Sequence, residues 1–429
     1  MNILFISLGC DKNLVDTEVM LGMLASRGYQ MVEEETQADV IVINTCCFVH
    51  DAKEESIQNI LEMAEYKKEG RLKALIVTGC LAQRYRQEIL DEIPEVDAVL
   101  GTTAYDKILD AIDEALKGHH TLTLADTDLL PEVETKRLVT TGGHFAYLKI
   151  AEGCDKHCTY CIIPYARGRV RSRKPESVIK QAKELVTKGY VEIVLTGIHT
   201  AGYGEDLEDY SFYDLLVDLV KIEGLKRLRI SSIETSQITD EIIDLISKSK
   251  IIVDHLHVPL QAGCDETLKR MNRKYNCEQY YEKLSKIRKL VPDIVFTTDV
   301  IVGFPGESEE EFEKTYEFIK KVGYTQLHVF PYSMRKGTPA ARMVQVDEKI
   351  KHERVNRLIA LSHELNENYA KSQIGKTLRV LFEKEENGYY VGHGDNYLLV
   401  KVPSDKQLIG QLKNVIIDSY DEILIGRVV

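Results

Sequence analysis

Short apolar runs alternate with helix-period segments through the first part of the chain. Residues 3–7, 40–44 and 74–78 read as strands, with 98–100 as a fourth. Between them, 14–25, 52–66, 82–90 and 105–116 carry apolar positions at helical spacing. Such alternation predicts a parallel sheet with helices on its faces. The period lapses over 118–141, and 121–141 is assigned as a linker. A second series starts at Phe145, with strands expected at 146–150, 192–195, 227–231, 255–260, 295–301 and 327–331. Amphipathic helices are expected at 177–187, 213–222, 240–247, 277–290 and 309–321. Six such units are too few for a closed eightfold barrel, so an open partial barrel is predicted. A charged amphipathic segment over 340–369 leads into a region of different character. There, short alternating runs at 377–382, 389–392, 397–402, 415–417 and 423–427 predict a small antiparallel β-barrel. The expected fold class is therefore α/β in three parts. These are a parallel-sheet domain over 1–120, an open (β/α)6 partial barrel over 142–370 and a small β-barrel over 371–429.

Composition narrows the setting. The chain has 429 residues, 44% hydrophobic and 29% charged, without an apolar run of membrane-spanning length. The N-terminus lacks the basic stretch and apolar core of a signal peptide, so a cytoplasmic location is expected. Nine cysteines without a secretory signal point to thiol or metal chemistry in a reducing compartment rather than to disulfides. Of the net charge of −13, about −11 falls in residues 1–125. A uniformly acidic protein would bind nucleic acid poorly. The uneven distribution confines that objection to the first domain.

The cysteines carry the chemistry. Cys154, Cys158 and Cys161 stand at CxxxCxxC spacing just after an expected strand. Three thiolates on one loop suit a [4Fe–4S] cluster whose fourth iron stays open. A structural zinc would need a fourth ligand, and His157, adjacent to Cys158, is badly placed to share a tetrahedron. Unligated thiols are the remaining alternative. Cys10, Cys46 and Cys80 each follow one of the first three strands, so topology brings them to one sheet edge. They read as ligands of a second three-cysteine cluster, although cysteine is also a common buried small residue. Cys47 reads as a neighbour, Cys264 and Cys277 as structural, and His119 and His120 as solvated. Glycine-bearing loops follow the barrel strands, including Thr196-Gly197, Glu234, Gln261 and Gly303. Arg167, Arg169, Arg171, Arg173 and Lys174 form a basic run suited to phosphates, or else a solvated charged loop.

The cysteine triplet with Tyr160 before its last member resembles the radical S-adenosylmethionine (SAM) enzymes. Over essentially the full chain, the architecture resembles the radical-SAM methylthiotransferases, which join an N-terminal three-cysteine domain, a partial barrel and a TRAM barrel. Cys10, Cys46 and Cys80 match the auxiliary-cluster positions, and Cys154, Cys158 and Cys161 the SAM-cluster positions. The resemblance implies two [4Fe–4S] clusters, SAM near Thr196, Gly197, Glu234, Gln261, Asp299 and Gly303, and an electron donor such as flavodoxin or ferredoxin. The sulfur source stays open.

Two branches of that family are represented. Residues 7–16 and 51–56, and the chain to 164, resemble the RimO branch, which modifies an aspartate of a ribosomal protein. Residues 165–168, 195–199, 229–234, 268–275, 298–307 and Asp395-Asn396-Tyr397 resemble the MtaB branch, which acts on threonylcarbamoyladenosine beside the tRNA anticodon. The substrate-facing parts being MtaB-like, the expectation is tRNA, with phosphate contacts from Arg167, Arg169 and Arg171. The acidic first domain and nearly neutral small barrel favour the alternative, a basic ribosomal protein. A non-enzymatic iron–sulfur electron carrier or RNA-binding sensor is the remote third reading.

Overall fold

A computed structural model describes residues 1–131, 137–142 and 144–429. Two compact units emerge. The first comprises Met1–Thr140, Ala151–Lys156 and Cys161–Arg173; the second comprises Thr141–Ile150, His157–Tyr160 and Lys174–Val429.

In the first unit the strands are β1 (Asn2–Ser7), β2 (Gln30–Met31), β3 (Val40–Thr45), β4 (Ala74–Gly79), β5 (Ala98–Leu100) and β6 (Thr121–Thr123). They form one sheet in the order β2-β1-β3-β4-β5-β6, parallel at every pairing. Every residue of β3 and β4 is buried, as expected of central parallel strands covered on both faces. Ile41, Ile43, Leu75 and Val77 face one apolar layer, and Val40, Val42, Ala74 and Ile76 the other. Two strands exceed the sequence expectation. β2 has two residues and β6 three, too short to show a period, and both are sheet edges. β6 falls in the segment expected as linker, and farther along it Arg137 and Thr140 bond the buried Glu18.

The second series begins with β7 (Phe145–Glu152), whose last two residues belong to the first unit and pair there with β8 (Arg171–Ser172). In the second unit follow β9 (Glu192–Gly197), β10 (Arg227–Ile230), β11 (His255–His257), β12 (Val295–Val302) and β13 (Gln326–Pro331). The order runs β7-β9-β10, then β11-β12-β13, bridged in parallel at Leu228 and Ile252. This is an open six-stranded partial barrel. The helix Glu348–Lys371 lies along β13, where Ser362 accepts the Leu327 N–H at 2.9 Å.

The C-terminal strands β14 (Thr377–Glu386), β15 (Tyr389–Gly394), β16 (Leu399–Pro403), β17 (Leu412–Asp421) and β18 (Ile423–Val428) close in the order β14-β15-β16-β18-β17. The interior holds Val380, Phe382, Val400, Val402, Val415, Ile417 and Leu424. One pairing, β16 with β18, is parallel, because β17 crosses to β14 before the chain returns.

Candidate functional site

In the first unit, β1, β3 and β4 are neighbours in the sheet, so the residues just past their carboxyl ends share one edge. Cys10 caps the helix Asp11–Ser26, Cys46 follows β3 directly, and Cys80 opens the helix Cys80–Tyr85. Each approach is tight. Gly9 has φ +88°, and a Cβ there would lie 2.9 Å from the Cys46 Sγ. At Gly79, with φ +93°, a Cβ would lie 2.4 Å from the Asn44 Oδ1. Only glycine allows the two chains to come this close in that backbone conformation.

A polar network fixes the loops. Asn13 donates to the carbonyls of Leu8 and Thr45, each at 3.0 Å, and Asn44 donates to the Asn13 carbonyl at 2.9 Å. Arg167 reaches into the same place. Its Nε donates to the Cys80 Sγ at 3.3 Å, and its Nη1 to Asp16 at 3.0 Å and Glu152 at 2.9 Å. Its Nη2 donates to the Asn13 Oδ1. Burial opposes the guanidinium charge, but Cys80, Glu152 and Asp16 hold it firmly protonated. Burial pushes the Cys46 thiol up to about 11, with Cys80 and Cys10 adding to the rise. Burial likewise raises Cys80, against the pull of Arg167. Three crowded thiols beside one fixed cation are a donor set that fits an iron–sulfur cluster with three protein ligands. Cys47 packs in the apolar layer with Ile41, Ile43 and Leu75, a layer that Cys80 also borders.

The second cysteine set lies on the loop after β7. Cys154 and Cys161 fall in the first unit and Cys158 in the second. Gly153 is required here, since a Cβ would sit 1.7 Å from the Arg169 carbonyl oxygen. In the second unit, Thr159 N–H donates to the Met271 carbonyl at 3.1 Å, and Asn272 donates to the His157 carbonyl at 3.0 Å. Arg273 then donates to the Cys158 Sγ at 3.2 Å, to Glu234 at 2.8 Å and to the Tyr275 hydroxyl at 3.2 Å. Each cysteine set thus has one buried arginine aimed at a sulfur. The loop carries thiols at the spacing of a three-ligand cluster, and its sulfur-directed donor fits that use.

The remaining expected residues fall as follows. Thr196 and Gly197 end β9, Glu234 follows β10 and is tied to Arg273, and Gln261 follows β11 with φ +69°. Gly303 follows β12, and its N–H donates to the buried Glu307 at 2.6 Å. Asp299 lies inside β12 rather than beyond it, bound to His257 and His328. The basic run is reassigned in part. Arg167 is 1% exposed and committed to the first cysteine site. Arg171 is also buried, donating to the carbonyls of Arg167 and Arg169 at 2.8 Å, and burial lowers its pKa. Of the three arginines expected to meet phosphates, only Arg169 is exposed. Sequence spacing shows a cluster of positive charge but not which members find buried carboxylates. Asp16, Glu152 and Arg273 were missed for the same reason, their partners being remote in sequence.

Comparison with known proteins agrees with this arrangement. A family model described as the radical SAM superfamily matches residues 148–319, and one described as uncharacterized protein family UPF0004 matches residues 2–101. The ribosomal protein uS12 methylthiotransferase RimO of Lachnoclostridium phytofermentans is 47% identical over 99% of both chains. The threonylcarbamoyladenosine tRNA methylthiotransferase MtaB of Bacillus subtilis is also 47% identical, over 96% of this chain and 92% of its own. Among solved structures, the radical SAM methyltransferase TsrM of Kitasatospora setae superposes with a TM-score of 0.56 at 13% identity, covering 79% of this chain and 74% of that one, a likeness of fold. The family match and the partial-barrel fold define a radical SAM enzyme. The chain belongs to the RimO/MtaB group of radical-SAM methylthiotransferases, enzymes that use SAM and [4Fe–4S] clusters to transfer a methylthio group. Among the described residues no helix is long and apolar enough to cross a membrane.

Proposed function

We propose that this methylthiotransferase acts on threonylcarbamoyladenosine beside the anticodon of tRNA, in the cytoplasm, with Cys10, Cys46 and Cys80 holding one cluster and Cys154, Cys158 and Cys161 the other. The observation that carries the substrate reading is a contact within the second unit. MtaB-like residues of the partial barrel and of the C-terminal barrel touch one another: the Arg229 guanidinium stands 4.7 Å over the Tyr397 ring. Beside it, Arg227 pairs with Asp395 at 3.3 Å and donates to the His393 carbonyl at 2.9 Å. Parts of one likeness are therefore joined by direct polar and ring contacts within the second unit.

When bound, the clusters and SAM supply a hydrogen-abstracting radical and the sulfur to be transferred. The chain's own residues hold and exclude. Arg273 fixes Cys158 and Glu234 together, and the buried Arg167 fixes Cys80. Selectivity comes from placing one substrate carbon, since the radical itself does not discriminate. Arg169, exposed on the loop after the second cysteine set, is the arginine of the basic run available to a phosphate.

The second reading, an aspartate of a ribosomal protein, draws on the acidic first unit and on the RimO relative at equal identity. Reconstituted enzyme with SAM and a flavodoxin- or ferredoxin-type reductant should be given tRNA bearing the modified adenosine, and separately the ribosomal protein. Mass spectrometry should find the methylthio group on tRNA. Its appearance on the protein alone would replace this reading with the second.

A further inference from the structure

Inside the partial barrel, five side chains on three adjacent strands form a hydrogen-bonded line that ends on a carboxylate. Arg229 on β10 approaches the Nδ1 of His255 at 3.2 Å. The His255 Nε2 lies 2.9 Å from the Thr297 Oγ1, and that oxygen lies 3.0 Å from the Nδ1 of His257. The His257 Nε2 lies 3.3 Å from one oxygen of Asp299, whose other oxygen lies 3.2 Å from the Nδ1 of His328.

The proton positions follow from one fixed donor. A guanidinium has only N–H groups to offer, so Arg229 donates and the His255 Nδ1 accepts. Burial, with Arg229 beside it, holds His255 well below its usual pKa, so the ring is neutral and its single proton sits on Nε2. That proton goes to Thr297. The buried Thr297 hydroxyl needs an acceptor for its own hydrogen, and the other group in reach is the His257 Nδ1. His257 therefore carries its proton on Nε2 and donates to Asp299. A nitrogen that carries a proton is a donor and not a metal ligand, although His257, Asp299 and His328 gather their polar atoms within 4.8 Å.

Asp299 is thus an acceptor held from two sides. Burial alone would raise its pKa, yet the two imidazoles outweigh that and hold it well below the usual carboxylate range. Each carboxylate oxygen has a second lone pair, and the two histidines use one on each. The side chain is 30% exposed although it stands in a strand that is otherwise buried. It is an ionised carboxylate with spare acceptor capacity, partly open to solvent.

We propose that Asp299 is a substrate-positioning residue. It accepts a hydrogen bond from an N–H of the threonylcarbamoyl-substituted base and so places the reacting carbon, with the line from Arg229 to His257 setting its orientation. This rests on the tRNA reading above. An acceptor-only site favours a ureido or amide donor and rejects a base that lacks one, because the desolvated carboxylate would then stay unpaired.

The test is the number of 5′-deoxyadenosine molecules released per methylthio group transferred, measured on the holoenzyme with Asp299→Asn. A misplaced substrate leaves the radical to react unproductively, so the ratio should rise about tenfold. Thr297→Val removes the link between the two inner histidines without changing side-chain size, and it should raise the ratio less. It also serves if Asp299→Asn fails to fold. Deoxyadenosine and product falling together at an unchanged ratio in both variants would make the residue structural or a SAM contact, and would overturn the proposal. A third metal in the holoenzyme, absent from Asp299→Asn, would overturn it as well. If the wild-type enzyme modifies only the ribosomal protein, the tRNA reading fails. The ratio taken on that protein then decides the positioning role separately.

Discussion

Arg167 and Cys80 meet across 3.3 Å, with the guanidinium donating to sulfur from a fully buried position. The same arginine pairs with both Asp16 and Glu152, so the cysteine site and the fold around it share one cation. A hydrogen bond to a ligating sulfur withdraws electron density and raises the potential of a cluster. Arg167→Gln should therefore make the auxiliary cluster harder to reduce and leave the other unchanged, as read by EPR-monitored redox titration. The buried Asp16 and Glu152 would also lose this guanidinium, lowering stability by about 3–5 kcal/mol in thermal or denaturant unfolding. Arg167→Lys keeps the charge but loses the planar fork, and it should fall between the two. An unchanged potential in both variants would remove Arg167 from any electronic role.

Cys46 and Cys47 are adjacent in sequence and separate in environment. Cys46 stands against Gly9 and feels Cys80 and Cys10, whereas Cys47 packs among Ile41, Ile43 and Leu75. Anaerobically reconstituted protein should hold about eight irons with matching sulfide. Cys46→Ala should lose half of them and all methylthio transfer while still cleaving SAM. Cys47→Ala should keep both clusters. Iron analysis of the two variants decides the matter, and the reverse pattern would exchange the assignments.

The sequence pattern made the strands legible because burial on both faces forces long apolar runs, as in β3 and β4. The cysteine positions followed from that, since strand ends in a parallel sheet share an edge. The arginines did not follow. Arg167, Arg169 and Arg171 look alike in sequence, yet Arg167 is drawn inside by the carboxylates of Asp16 and Glu152, and Arg171 by the carbonyls of Arg167 and Arg169 just before it in the chain. Nor could periodicity reveal the line from Arg229 to Asp299. Its members are spread over three strands, and the register Asp299 to His328 and His257 to Thr297 brings them together. Pairwise polar contacts between remote residues leave no trace in a local pattern.

Tyr397 joins the C-terminal barrel to Arg229 on β10 and His255 on β11. Its ring stacks on His255 at 4.7 Å and on His393 at 5.0 Å, with Arg229 also at 4.7 Å. Its φ of +65° is costly for a residue with a Cβ, so stacking must outweigh backbone strain. Tyr397→Ala keeps the strain and loses the contacts, at a cost of roughly 1–3 kcal/mol. Tyr397→Gly loses the same contacts but relieves the backbone, recovering about 0.5–1 kcal/mol. Hydrogen exchange should quicken at β10, β11 and the 393–397 turn in both variants, more so in the alanine one, and stay unchanged in β3 and β4. Because Arg229 also sets the proton on His255, loosening it should raise the deoxyadenosine-to-product ratio, although Tyr397 touches neither Asp299 nor any cysteine. Equal exchange in the alanine and glycine variants would show that the backbone strain is immaterial. Exchange unchanged from wild type would place the anchor in Arg227 and Asp395 instead.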